Sequence, residues 1–303
     1  MLPIVHHPDY QIPLRPGHRF PMSKYGYLRE ALLRRGLMRH GLYPAPAPAS
    51  ARQIALAHEA GYVERVFEGR LARDEVRRIG LPGEPPVTRR ARLAAAGTML
   101  AAWLALEHGL ALNSAGGSHH AGPEGGAGYC VFNDVGVAIA NLAAQGVPGP
   151  VLVIDADVHQ GDGTAKLFAG DARVFTLSVH SAKNFPARKA VSDLDVALPD
   201  ATEDAAYLEA FAAALDTALE AARPRLVFYN AGVDVWHGDR LGRLALTSDG
   251  IRARERLVIG AVRGRGLPLV GVLGGGYDDE PERLAAHHAI LFEEAARAAE
   301  AVA

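Results

Sequence analysis

The sequence predicts an α/β fold, a single parallel sheet with helices on both faces. Three observations predict it. Short apolar runs recur at residues 3–5, 110–113, 151–154, 174–179, 226–229 and 269–273, separated by longer segments of helical pattern. Several runs are almost uniformly apolar, as strands covered on both faces must be. The segments between them are long enough to cross back over a sheet, and such crossovers are right-handed.

Taken in order, the run at 3–5 is the first strand. The stretch at 43–49, YPAPAPA, is the one low-complexity piece. It reads as a rigid surface loop rather than a domain linker, because helical patterns resume on both sides. The arginine-rich stretch at 70–92 reads as solvated helix and loop surface. Residues 87–108 form a helical pattern ahead of the strand at 110–113. The segment at 202–222 is the clearest helix. Thr202 can cap its first turn, Glu203 and Asp204 suit its positive end, and Tyr207, Phe211, Leu215, Leu219 and Ala222 share one face, with Pro224 just beyond. Residues 250–263 read as another helix. No internal repeat of fixed period occurs, so residues 1–303 are expected to form one domain.

Composition narrows the function classes. The formal net charge of −2 leaves no footprint for nucleic acid. No stretch approaches eighteen consecutive apolar residues, so no membrane span is expected, and no secretory signal opens the chain. The single cysteine, Cys130, allows no intrachain bridge and suits a reducing, cytoplasmic location.

In open parallel sheets ligands bind beyond the carboxyl ends of the strands, and four such ends carry chemistry. In VLVIDADVHQGDG, a strand ends in Asp155, Asp157 and His159 at alternate positions, which on extended chain share a face. Two carboxylates and an imidazole so spaced suit a divalent metal. The alternative is a loop whose aspartates cap the next helix, but acids pointing one way repel unless a cation lies between them. In VFYNAGVDVWHGDRLGRL, Asp234 is either a third ligand or a cap, and Asp239 has Arg240 beside it as a candidate partner. The glycine-rich NSAGGSHHAGPEGGAGYCVFN carries His119 and His120, imidazoles suited to proton transfer near neutral pH. The doublets His6-His7 and His287-His288 lack that setting and read as structural or surface. In VGVLGGGY, three glycines clear space before Tyr277, whose hydroxyl can donate to a developing oxyanion. Together these suit metal-assisted hydrolysis of a carbonyl.

These segments resemble the zinc-dependent histone deacetylases from about residue 4 to residue 292. GGSHHAGPEGGAGYCVFND is similar to the family's His-His loop, VIDADVHQGDGT and YNAGVDVWHGDRLGRL to its two metal loops, and GGGY to its tyrosine turn. The details look most like the class IV branch. The resemblance implies a three-layer, arginase-like α/β fold around a mostly parallel eight-stranded sheet. It implies zinc, with ferrous iron as the alternative metal, held by Asp157, His159 and Asp234. His120 would be the general base, with His119 as electrostatic partner, and Asp162 and Asp155 behind them. Tyr277 would polarise the acyl carbonyl. A structural potassium would be held by Asp155, Asp157, His159, Ser178 and Val179. The tunnel for an aliphatic stem would be walled by Gly128, Tyr129 and Phe185, with Leu241 at its rim. Relatives of other classes carry an acid on a rim loop, where residues 79–88 offer only Glu84.

The implied activity is hydrolysis of an acyl-amide on a lysine-like amine, the partner being an acylated lysine peptide or protein, or an acylated small amine. The competing readings are a small-molecule amidohydrolase such as an acetylpolyamine deacetylase, a two-manganese ureohydrolase, and an acyl-lysine-binding module without turnover. The sequence leaves the oligomeric state open.

Overall fold

The computed structural model describes residues 2–300. Seven parallel strands pair among these residues: β1 (Ile4–Val5), β2 (Leu110–Asn113), β3 (Val151–Asp155), β4 (Val174–Ser181), β5 (Leu194–Leu198), β6 (Leu226–Asn230) and β7 (Leu269–Val272). Their order across the sheet is β1-β2-β7-β6-β3-β4-β5. The helices in chain order are α1 (Lys24–Arg34), α2 (Ala51–Ile54), α3 (Ala60–Phe67), α4 (Arg73–Ile79), α5 (Pro85–His108), α6 (Asp134–Ala144), α7 (Asp162–Leu167), α8 (Asp204–Ala222), α9 (Ser248–Arg263) and α10 (Pro281–Glu300). One set, α1, α10, α9 and α8, packs neighbour against neighbour, and α5, α6 and α7 form another. No helix among the described residues is long and apolar enough to cross a membrane.

All six apolar runs are strands, and β2, β3, β6 and β7 are buried along their whole length. The seventh strand, β5, lies at the edge. Its sequence LDVAL alternates apolar and polar residues and four of its five positions are partly or well exposed, so a search for uniform runs passes over it. The eight strands implied by the resemblance are corrected to seven among the described residues. β1 and β5 are the two edges, and among the described residues no further strand pairs with either.

The expected helices are present, with one change at a cap. Helix α8 begins at Asp204, and Thr202 does not cap it: its hydroxyl donates to the Pro199 carbonyl at 2.8 Å. Asp204 instead accepts from the Thr247 amide at 2.8 Å, while the Thr247 side chain caps α9 through the Gly250 amide at 3.0 Å. Tyr207, Phe211, Leu215, Leu219 and Ala222 form the buried face of α8 as the periodicity requires. The arginine-rich stretch has one exception to its solvated reading. Arg90 is buried, donates to the Tyr10 carbonyl at 2.9 Å and lies 4.6 Å from the Tyr25 ring centre.

Because every strand runs the same way, the loops after β2, β3, β4, β6 and β7 all leave the same end of the sheet. The register places Asp155, Ser178 and Asn230 side by side at that end of β3, β4 and β6.

Candidate active site and metal centre

The strand-end loops bring the sequence-marked residues together. Asp157 and His159 follow β3, and Asp234 follows β6. Among the described residues they form the one set of three acidic, histidine or cysteine side chains whose donor atoms all lie within 4.8 Å of one another. His159 Nδ1 is 3.0 Å from Asp157 Oδ1 and 3.0 Å from Asp234 Oδ2. Backbone amides orient the carboxylates: Gly275 N donates to Asp157 Oδ2 at 2.6 Å, His159 N to Asp157 Oδ1 at 3.0 Å, and Val158 N to Asp234 Oδ1 at 2.8 Å. Behind this group the buried guanidinium of Arg254, on α9, donates to the carbonyls of Ala156 and Gly232 at 2.9 and 2.8 Å.

Asp155 does not join the three. Strand β3 ends at that residue, so the alternation read from the sequence stops there. Its carboxylate turns to His119 Nδ1 at 2.7 Å and to Asn230 Nδ2 at 2.9 Å. His120 Nδ1 lies 2.8 Å from Asp162 Oδ1, at the start of α7, and Lys166 one turn on donates to the other oxygen of Asp162 at 2.5 Å. The two imidazoles therefore each have a carboxylate at Nδ1, which orients the rings and leaves Nε2 facing the site. Their ring centres are 4.1 Å apart, and His120 is 5.8 Å from His159.

Charge distributes unevenly in this cluster. Burial disfavours the imidazolium of His119, but Asp155 and Asp157 outweigh it and hold its pKa up at about 9. Burial and the neighbouring His119 push His120 down to about 3, against the pull of Asp162. Burial and the adjacent Asp157 raise Asp234 to about 6. Asp157 is held well below the usual carboxylate range by His119 and His159, although burial works the other way. Burial also opposes the charged form of His159, yet its hydrogen bonds with Asp157 and Asp234 raise it to about 10. Two buried carboxylates this close repel each other, and a divalent cation among them removes that cost. The oxygen-and-nitrogen donor set fits such an ion.

Tyr277 follows the three glycines after β7, with its ring centre 6.4 Å from His159 and 5.8 Å from Tyr129. Burial, then Asp234 and Asp157, push its phenol well above the usual range, so it stays a proton donor. Tyr129 takes a left-handed backbone, φ 66°, held by its amide donating to the Ile79 carbonyl at 2.7 Å. Gly128 has φ 53°, and a Cβ there would lie 2.5 Å from the His120 ring. Phe185, 46% exposed, stands 4.8 Å from His120 at right angles to it. A cavity of about 270 Å³ beside Tyr277 is lined by Arg19, Arg240, Leu241 and Tyr277. Of the residues marked for potassium, Ser178 adjoins Asp155 in register and its hydroxyl lies 3.0 Å from His180 Nδ1, while Val179 is fully buried.

Several residues here escaped the sequence. Arg240 does not pair with Asp239; it reaches Asp279. Asp239 accepts instead from the amides of Tyr277 at 2.6 Å, Leu241 at 2.8 Å and Gly242 at 2.9 Å. Asn184 donates to the Leu241 carbonyl at 2.6 Å and lies 3.4 Å from His159 Nε2. Lys24 is buried under the tyrosine turn and donates to the Gly274 carbonyl at 3.2 Å. None sits in a pattern that marks it; only Asp239 was visible, and adjacency suggested the wrong partner. The other histidine doublets keep to structural contacts: His6 meets Ser114 at 2.8 Å and His287 meets Ser248 at 3.0 Å.

This fold and site define an α/β protein with a candidate acid-and-histidine metal centre, and comparison with known proteins gives its family. The chain belongs to the histone deacetylase family, matching the histone deacetylase domain over residues 18–292. It is 44% identical over 293 residues to an uncharacterized protein of Picosynechococcus sp., covering 97% of this chain and 98% of that one. It is 32% identical over 279 residues to Histone deacetylase 2 of Arabidopsis thaliana, covering 89% and 72%. It is 29% identical over 253 residues to the acetoin utilization protein AcuC of Staphylococcus aureus, covering 76% and 64%. The crystal structure of the HDA15 HD domain superposes with a TM-score of 0.79 at 20% identity, covering 99% of this chain and 92% of that one.

Proposed function

We propose that this chain is a zinc-dependent lysine deacylase of the class IV kind, acting in the cytoplasm. Residues 1–303 are read as one catalytic domain, and the two helix sets as the outer layers of a three-layer arginase-like fold. The observation that carries the reading is the triangle of Asp157, His159 and Asp234 donors, flanked by two carboxylate-bound imidazoles and by Tyr277.

Asp157, His159 and Asp234 would hold zinc, which would supply Lewis-acid polarisation of the acyl carbonyl and make the attacking water more acidic, a role ferrous iron could also fill. His120 takes the water proton at Nε2, its Nδ1 being held by Asp162, and then delivers it to the departing amine. His119, positioned by Asp155, contributes the positive charge that balances the developing anion. Tyr277 donates a hydrogen bond from its phenol to the tetrahedral oxygen, an interaction worth about 3 kcal/mol of barrier. Gly128, Tyr129, Phe185 and Leu241 enclose the aliphatic stem. Potassium would be held by Asp155, Asp157, His159, Ser178 and Val179, where it would stiffen the ends of β3 and β4.

The test is an acyl-length series on one lysine peptide, run beside acetylpolyamines, with metal analysis of the same sample. The expected result is hydrolysis of an acyl-lysine peptide in proportion to zinc, near one zinc per chain, blocked by hydroxamates. Full loading with two metals per chain, or no turnover of any acyl-amine at one zinc per chain, would sink the proposal.

A further inference from the structure

We infer that the mouth of this site selects acyl-lysines flanked by carboxylates, so that the substrate is an acidic peptide segment rather than a polyamine. The inference rests on the deacylase reading and names its substrate class.

Two cavities open beside the residues read as the tunnel rim. The first, about 270 Å³, is lined by Tyr277, Leu241, Arg19 and Arg240. The second, about 560 Å³, is lined in part by Arg15, His18, Arg77 and Glu84. Gly80, in the wall of the second cavity, packs so closely on Tyr129 that a Cβ there would lie 3.1 Å from the Tyr129 ring. His18 is 6.3 Å from the same ring. The two cavities therefore border one rim.

The charges on that rim are one-sided. Arg15, Arg19 and Arg77 are exposed, and their side chains make no ion pair or hydrogen bond among the described residues. Arg240 is paired, with the exposed Asp279. The exposed acids lining or pairing with this rim are Glu84 and Asp279, against four arginines; Asp239, half-buried beneath it, is engaged by the amides of Tyr277, Leu241 and Gly242. This excess occurs in a chain whose formal net charge is −2, so it is a local feature and not a reflection of a basic protein. Some surface arginines elsewhere are matched, Arg252 and Arg256 by Glu294, Arg283 by Asp278 and Arg173 by Asp171, while others such as Arg34, Arg52 and Arg223 are not; what sets Arg15, Arg19 and Arg77 apart is their place beside the two cavities.

Unpaired guanidiniums beside a cleft raise the local concentration of anionic ligands and hold carboxylates through forked hydrogen bonds. A polyamine, whose distal ammonium would remain at the mouth while its acylated end entered the tunnel, meets repulsion in the same place. A peptide with aspartates on either side of the acyl-lysine puts carboxylates against Arg19 on one flank and against Arg15 and Arg77 on the other.

The experiment compares three peptides sharing one acyl-lysine core, with flanks of aspartate, serine or lysine, and adds an acetylpolyamine. At low ionic strength kcat/KM is expected to fall in the order aspartate, serine, lysine, acetylpolyamine. The span between the charged peptides is roughly tenfold and lies mostly in KM. It should shrink in about 1 M salt, where the Debye length is about 3 Å. Arg19→Glu should narrow or invert the ratio of aspartate to lysine peptide. Arg265→Glu, at the opposite end of the strands, should leave it alone. Equal rates on all three peptides, a preference for the lysine flank or the polyamine, or an unchanged ratio in Arg19→Glu would overturn the inference and leave the deacylase reading standing. Binding of the same peptides, fluorescently labelled, is read by anisotropy. The predicted order of affinity without hydrolysis would keep the inference and remove the deacylase reading.

Discussion

Tyr277 is held by its backbone as much as by its ring. The Asp239 carboxylate takes the Tyr277 amide at 2.6 Å and, with the same side chain, the amides of Leu241 and Gly242. One acid thus fixes the backbone of Tyr277 and of the Leu241–Gly242 loop together. Tyr277→Phe is expected to lower kcat about a hundredfold with metal content unchanged. Asp239→Asn weakens the clamp and is expected to lower kcat by about tenfold, again with metal retained. Combined with Tyr277→Phe it should add almost nothing, because the group it positions is already gone. A double mutant as slow as the product of the two single effects would contradict that role. Residues like His119, His120, Asp157 and His159 were legible because each sits in a short motif whose members act together. Asn184, Lys24 and the true partner of Asp239 were not, because the contacts that define them span 57, 250 and 38 residues.

At the scale of elements, the turn after β7 packs its backbone directly on the candidate metal donors. A Cβ on Gly275 would fall 2.1 Å from Asp234 Oδ2 and 2.7 Å from Asp157 Oδ2. Gly275→Ala is therefore expected to push the carboxylates apart and weaken metal binding by at least about tenfold while the fold persists. Metal titration alongside circular dichroism checks this; unaltered affinity would mean the turn yields more easily than its packing indicates. The same scale explains what could be read in advance. Strands buried on both faces announce themselves by composition, and α8 by its periodic apolar face. The edge strand β5 and the start of α8 depend on neighbours: β5 on its pairing with β4, and Asp204 on Thr247 in a loop forty-three residues away.

Over the whole molecule, acid stability depends on histidines kept neutral by burial. His58 accepts from the Asn133 amide at 2.9 Å and bonds the Gly122 carbonyl through Nδ1 at 2.8 Å, stapling the loop that carries His119 and His120. Burial lowers its pKa from 6.5 to about 4, and His6 and His287 are lowered to about 4 by the same cause. Between pH 6.5 and pH 4 the unfolded chain binds protons that the folded one refuses, so stability falls as pH falls through that window and levels off below it. For His58 the loss amounts to about 3 kcal/mol. Thermal unfolding followed against pH should show that decline, with a shallower slope in His58→Gln; identical slopes would assign the acid sensitivity elsewhere.

The sheet order has a consequence for how the protein is made. Strand β7, residues 269–272, is the last strand in the chain, yet it lies between β2 and β6. Until it leaves the ribosome, the nascent polypeptide has two half-sheets with bare facing margins and nothing to join them. The sheet therefore cannot close until residues 269–272 have been made, and a product cut short ahead of them is left as sticky, inactive halves.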